Sequence, residues 1–161
     1  MKRMLFFIVY IVFLALQITV EQPEWFKFDL VLLYVYAMAM IYGAQTGAAI
    51  GGAAGLIYDL LNGAVFGFHT ITRSAVGFVT GYIKEQVFKE HFAYHITAAF
   101  VITAGIRMLF FFVALFFTPV ADSSFFVGYL EESLAYCLGN IVFVVPVYKL
   151  CWFIERWHKD R

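Results

Sequence analysis

Charge is scarce in this sequence: Asp, Glu, Lys and Arg make up 14% of its 161 residues, against roughly 25% in soluble globular proteins. That shortage excludes a water-solvated surface around the whole molecule. Hydrophobic residues reach 63%, more than an interior of this size can hide, so lipid must cover the excess. Charge of one sign is lacking too. The formal net charge is zero, which argues against nucleic acid as a partner. Proline is rare, and two of the three, Pro23 and Pro119, fall where helices are expected to stop. Cysteine is limited to Cys137 and Cys151. On one continuous helix they would be separated by roughly 21 Å, too far to bridge, and they read as small buried hydrophobes.

Catalytic signatures are also missing. His91 and His95 stand four apart, but Glu90 precedes them and no His-Glu-x-x-His pattern forms, so no metal is expected. Ser123 and Ser124 have no base near them in sequence. Glu131 and Glu132 are adjacent and would point about 100° apart on a helix, which rules out a carboxylate dyad. Neither an enzymatic activity nor a cofactor is expected.

What is present is a series of apolar runs. The reading is an all-α integral membrane protein of about six short transmembrane helices, forming a single polytopic domain over residues 1–161. The first helix spans about Met4 to Val20 and is taken as a retained signal anchor, since no small-x-small cleavage site follows it. Leu30 to Leu61 would be roughly 48 Å long as one helix, beyond the hydrocarbon core, so it must break, with the turn expected near Tyr42 to Thr46. The remaining helices are expected at about Phe66–Ile83, His95–Phe117 and Phe125–Phe153. Lys2, Arg3, Lys84, Lys89, Lys149, Arg156, Lys159 and Arg161 fall into three regions that should share the cytoplasmic side, placing both termini inside.

The strongest pattern is Gly43, Gly47, Gly51 and Gly55, spaced four apart and continued by Asp59 and Gly63. Such a row lets helix backbones approach closely, whether within this protein or against a foreign helix. The next helix carries a matching row, His69, Arg73, Gly77 and Gly81. A charge within the membrane needs a partner, so Asp59 is expected to pair with Arg73 or His69. Arg107 is expected to reach Glu131 or Glu132 across antiparallel helices.

The run Gly51-x3-Gly55-Leu56-x2-Asp59-Leu60-x2-Gly63-x3-Gly67, together with helix count and size, resembles the MreD family of bacterial rod shape-determining membrane proteins. Asn140-x5-Pro146 looks like that family's terminal asparagine and proline. Members often carry a proline where the second helix begins; Phe28 and Asp29 stand there instead. The resemblance implies a bacterial inner-membrane subunit of the cell-elongation machinery, without enzymatic activity. Its implied partners are MreC, the MreB filament, and the glycosyltransferase and transpeptidase that build lateral peptidoglycan. MreD proteins are thought to share the fold of the substrate-binding subunits of energy-coupling-factor vitamin transporters, which supplies the alternative function. A vitamin binder needs convergent polar and aromatic groups near its outer face, and the outer loops here are short and poor in donors.

Overall fold

The computed structural model describes residues 2–62, 67–84, 92–117 and 123–159. Six helices follow one another: α1 (Lys2–Thr19), α2 (Leu30–Tyr42), α3 (Ala44–Asn62), α4 (Phe68–Ile83), α5 (Phe92–Phe117) and α6 (Ser123–Lys159). There are no strands among the described residues. Two helices, α5 and α6, contain stretches long and apolar enough to cross a membrane, Ala93–Phe116 and Phe125–Trp157.

The apolar run from residue 30 breaks at Gly43, whose φ of 92° and ψ of −176° fall in backbone space that essentially only glycine occupies. Its N–H still bonds the Ala39 carbonyl at 2.8 Å, so the chain reverses without orphaning that group. The resulting α2 has 13 residues, about 20 Å of rise, and is buried along Leu30 to Met40. A helix apolar on all sides belongs inside a bundle, and α1, α3, α4 and α6 surround it. At the other extreme, α6 has 37 residues, some 55 Å, and runs past the expected end at Phe153. It continues through Pro146, an exposed position, which lacks the N–H that would bond four residues back.

Neighbouring helices are antiparallel where contacts fix their direction. Phe6 meets Tyr42 and Phe13 meets Tyr34 between α1 and α2, while Phe111 meets Phe125 and Arg107 meets Glu132 between α5 and α6. Between α3 and α4 the register is set by glycine. A methyl group built on Gly51 would strike the Arg73 carbonyl, one on Gly55 the His69 carbonyl, and one on Gly47 would lie 2.6 Å from the Gly77 oxygen. Gly77 meets Gly47 in return, and Gly81 meets the backbone of Gly43 and Ala44. The two rows of small residues thus form one closed seam within this protein, held by backbone contact and dispersion. Gly63 lies outside the described residues.

Both cysteines are buried and unbridged. His95 is buried, with its Nδ1 2.8 Å from the Tyr36 hydroxyl and its ring 4.2 Å from that of Tyr148, so it serves the core. His91 lies outside the described residues.

Candidate functional site

The expected pairing of Asp59 with Arg73 or His69 side chains does not form. Asp59 instead caps α4 from the adjacent helix. Position Gly67, at the N-cap, has a left-handed φ of 91° and no side chain with which to cap. The Asp59 carboxylate accepts hydrogen bonds from the N–H groups of Gly67 (3.1 Å), His69 (3.1 Å) and Thr70 (2.9 Å), and from the Thr70 hydroxyl (2.7 Å). These donors have no partner within the helix. The positive end of the helix macrodipole also favours the charge, so Asp59 is satisfied without a cation. The His69 ring packs edge-on against Tyr58 and Phe68.

Arg73 turns the other way. Its side chain is 1% exposed, and Nη2 lies 2.9 Å from Asp29 Oδ2 and 3.1 Å from Oδ1. Asp29 is the N-cap of α2, accepting from the Leu32 N–H at 2.8 Å. Its own N–H donates to Asn140 Oδ1 at 2.8 Å, and Asn140, fully buried, donates through Nδ2 to Thr103 Oγ1 at 2.9 Å. One aspartate therefore fixes the start of α2, neutralises a buried arginine and ties α2 to α5 and α6. Its aspartate-before-apolar-run pattern is a helix-start signal.

The segment leading into α2 is pressed onto α6. A methyl group on Gly139 would strike the Lys27 carbonyl, and the Phe28 ring packs 4.9 Å from Phe143. Gln17 and Gln22 satisfy the backbone here: Gln17 bonds the Phe28 carbonyl and the Leu30 N–H, and Gln22 bonds both backbone groups of Phe28. Gly139, Gln17 and Gln22 are residues that sequence reasoning missed.

Beside this lies a second ionic cluster. Glu132 accepts from Lys27 Nζ at 2.9 Å and from Arg107 Nη2 at 2.8 Å. Arg107 also donates from Nε to Ser133 Oγ at 3.1 Å and lies over the Tyr129 ring, with its guanidinium carbon 4.4 Å from the centroid. The Tyr129 hydroxyl bonds the Arg107 carbonyl. Of the two glutamates, Glu132 faces the cluster and Glu131 is exposed, as their angular separation on a helix requires.

The two clusters border one cavity of about 550 Å³, lined among others by Asp29, Arg73, Thr103, Arg107, Glu132 and Asn140 and walled by Tyr58, Phe68, Phe110 and Tyr136. It lies toward the end where α2, α4 and α6 begin. The polar groups converge from helices, which is why counting donors in loops did not reveal it. Arg73 Nε and Nη1 have no hydrogen-bond partner there, and a buried donor left unpaired costs about 1–3 kcal/mol. The guanidinium is partly compensated by the Tyr58 ring, 4.1 Å from the guanidinium carbon to the centroid.

A bundle with apolar exterior helices, charges paired inward and a central helix buried by its neighbours is a helical membrane protein. The family model described as rod shape-determining protein MreD matches residues 1–154. This chain therefore belongs to the MreD family, whose members are membrane proteins that determine rod shape in association with the rod-shape complex. No curated protein and no solved structure matches it.

Proposed function

We propose that this protein is a non-enzymatic, multi-pass subunit of the bacterial inner membrane that binds MreC within the cell-elongation complex and helps organise lateral peptidoglycan synthesis. MreB and the elongation glycosyltransferase and transpeptidase complete the assembly in this reading. Both termini are cytoplasmic and all six helices lie in the membrane.

The observation that carries the partner reading is an open groove of about 970 Å³ between α1 and α3, floored by α2. Phe6, Phe7 and Tyr10 line one wall, and Thr46, Ile50 and Ala53 the other. The glycine seam is already closed against α4, so a foreign helix must seek another face. This groove offers small residues on α3, where a helix can approach closely, beside aromatic rings that add contact area. The energy-coupling-factor alternative has the polar cavity in its favour, but the family assignment favours the elongation complex.

Affinity-tagged protein purified from membranes should retain MreC. Ala53→Phe fills the groove from an exposed position, and it should keep protein abundance while releasing MreC. Wild-type protein that never retains MreC rejects the partner, and undiminished retention by the variant rejects the groove. A reporter after Arg161 should be cytoplasmic and one near Asp122 external; an external C-terminus ends the topology.

A further inference from the structure

We infer that the exposed face of α6 carrying Lys149, Trp152, Phe153 and Arg156 binds the headgroups of anionic phospholipids in preference to neutral ones. The inference rests on α6 crossing the membrane, as proposed above, but depends neither on MreC nor on which end of the bundle is cytoplasmic.

Depth comes first. The end of α2, the start of α1 and the end of α4 all lie at one level: Tyr42 bonds Glu155 and meets Phe6, and Lys84 Nζ donates to the Ile41 carbonyl at 3.3 Å. Tyr148 packs on His95, in the first turn of α5. The bundle therefore ends near Glu155. From Lys149 to Glu155 the rise is roughly 9 Å, comparable to a headgroup layer of about 5–8 Å. The composition of the face comes next. Lys149, Trp152, Phe153 and Arg156 recur three and four apart, the spacing of one helix face. All four are exposed, whereas Val147, Cys151 and Ile154 on the inward side are buried. Aromatic rings of this kind suit a boundary that is apolar on one side and wet on the other. The Arg156 guanidinium carbon lies 5.1 Å from the Trp152 ring centroid, a cation–π contact that holds the charge beside the ring. Finally, the two cations are not neutralised by protein. Among the described residues no carboxylate lies within salt-bridge distance of Lys149 or Arg156, and Glu155, next in sequence to Arg156, accepts from Tyr42 instead. An acidic protein segment would be served by the cations alone. Rings and cations alternating at headgroup depth fit a lipid whose phosphate lies at that depth, above its acyl chains.

The test uses full-length Trp25→Phe protein, in which Trp152 and Trp157 are the only tryptophans left, reconstituted in phosphatidylcholine bilayers. Phosphatidylglycerol or phosphatidylcholine brominated near the top of the acyl chain is added at equal mole fraction, and quenching of tryptophan fluorescence reports lipid in contact with the face. Brominated phosphatidylglycerol should show an apparent affinity about fivefold higher than its neutral counterpart, from the attraction of basic residues to anionic headgroups, and raised salt should shrink that preference. Lys149→Gln combined with Arg156→Gln, both at exposed positions, should bring the two lipids to parity while quenching by each persists. Equal quenching with both cations present overturns the inference and leaves α6 in the membrane. A preference that survives loss of both cations overturns the assignment to this face. Quenching by neither lipid overturns the crossing of α6 together with the inference, and turns the face over to an aqueous partner.

Discussion

The seam between α3 and α4 and the cavity beside it solve the same membrane problem by opposite means. Lipid gives helices no hydrophobic incentive to associate. At the seam Gly47, Gly51 and Gly55 let backbone meet backbone, and no volume remains. At the cavity the helices stand apart and are tied by long side chains: Arg73 to Asp29, and Lys27 and Arg107 to Glu132. One helix serves both regions. The carbonyls of His69 and Arg73 pack on the α3 glycines, while the Arg73 side chain departs toward α2. His69 and Arg73 can thus continue the row of Gly77 and Gly81, because the glycines facing them on α3, Gly55 and Gly51, carry no Cβ. Close packing fixes the frame, and the space left beside that frame is where the paired charged side chains collect.

The largest effect is expected from Asp29→Asn. It removes the only carboxylate among the described residues within salt-bridge distance of Arg73 and leaves a buried guanidinium uncompensated, at a cost of about 3–5 kcal/mol, seen as a lower midpoint of unfolding in detergent. Adding Arg73→Met to that variant should restore part of the loss, because no buried charge then lacks a partner. Additive losses would show that the pair is not coupled. Next comes Gly51→Ala. Even one methyl group strikes the Arg73 backbone, and overpacking of this kind costs about 1–3 kcal/mol, with larger losses for Gly51→Leu. A Gly51→Ala protein of unchanged stability would break the distinction between seam and cavity.

Much of this frame was legible. Spacing of four exposed the two rows, apolar run lengths gave six helices, and an overlong run demanded the break that falls at Gly43. The offset between Arg107 and Glu132 followed from helix rise alone. Partner choice was not legible where a residue had two physically adequate options. Asp59 needed compensation, and a cation and a helix N-terminus both supply it. Only the chain reversal into α4, with glycine at the cap, decides for the N–H groups. In the sequence Asp29 is indistinguishable from the charges of the polar segment before it, Glu21, Glu24 and Lys27. Nothing in the sequence shows that the linker folds inward onto Gly139. Nor does pattern reveal a cavity, since its lining comes from all six helices and one connecting segment.

Asp59→Asn should have a smaller effect than either change above. The new amide keeps one acceptor oxygen but replaces the other with a donor facing the α4 N–H groups, so a cap worth about 0.5–2 kcal/mol is lost. Combining Asp59→Arg with Arg73→Asp should give no recovery, since the two side chains hold different partners. Recovery on that exchange would restore the direct pair and separate Arg73 from Asp29. Hydrogen exchange at the first turn of α4 gives the local readout: the N–H groups of His69 and Thr70 should lose protection before the rest of the helix.

The smallest effect distinguishes glycines by position rather than by residue type. Gly105 in α5 and Gly128 in α6 have open space where a Cβ would stand, with nothing within 4 Å. Both lie within helices. Alanine there restricts the unfolded chain and favours the helix by up to about 1 kcal/mol over glycine, so Gly105→Ala and Gly128→Ala should leave stability unchanged or slightly raised. The same substitution at Gly77 meets the Gly47 backbone and should lower it. Opposite signs for one chemical change, measured by thermal unfolding of purified protein, would show that close approach and not flexibility accounts for the seam glycines. Losses of similar size at Gly105, Gly128 and Gly77 would instead mean that glycine serves chain mobility throughout, and the closed seam would no longer explain the spacing of four.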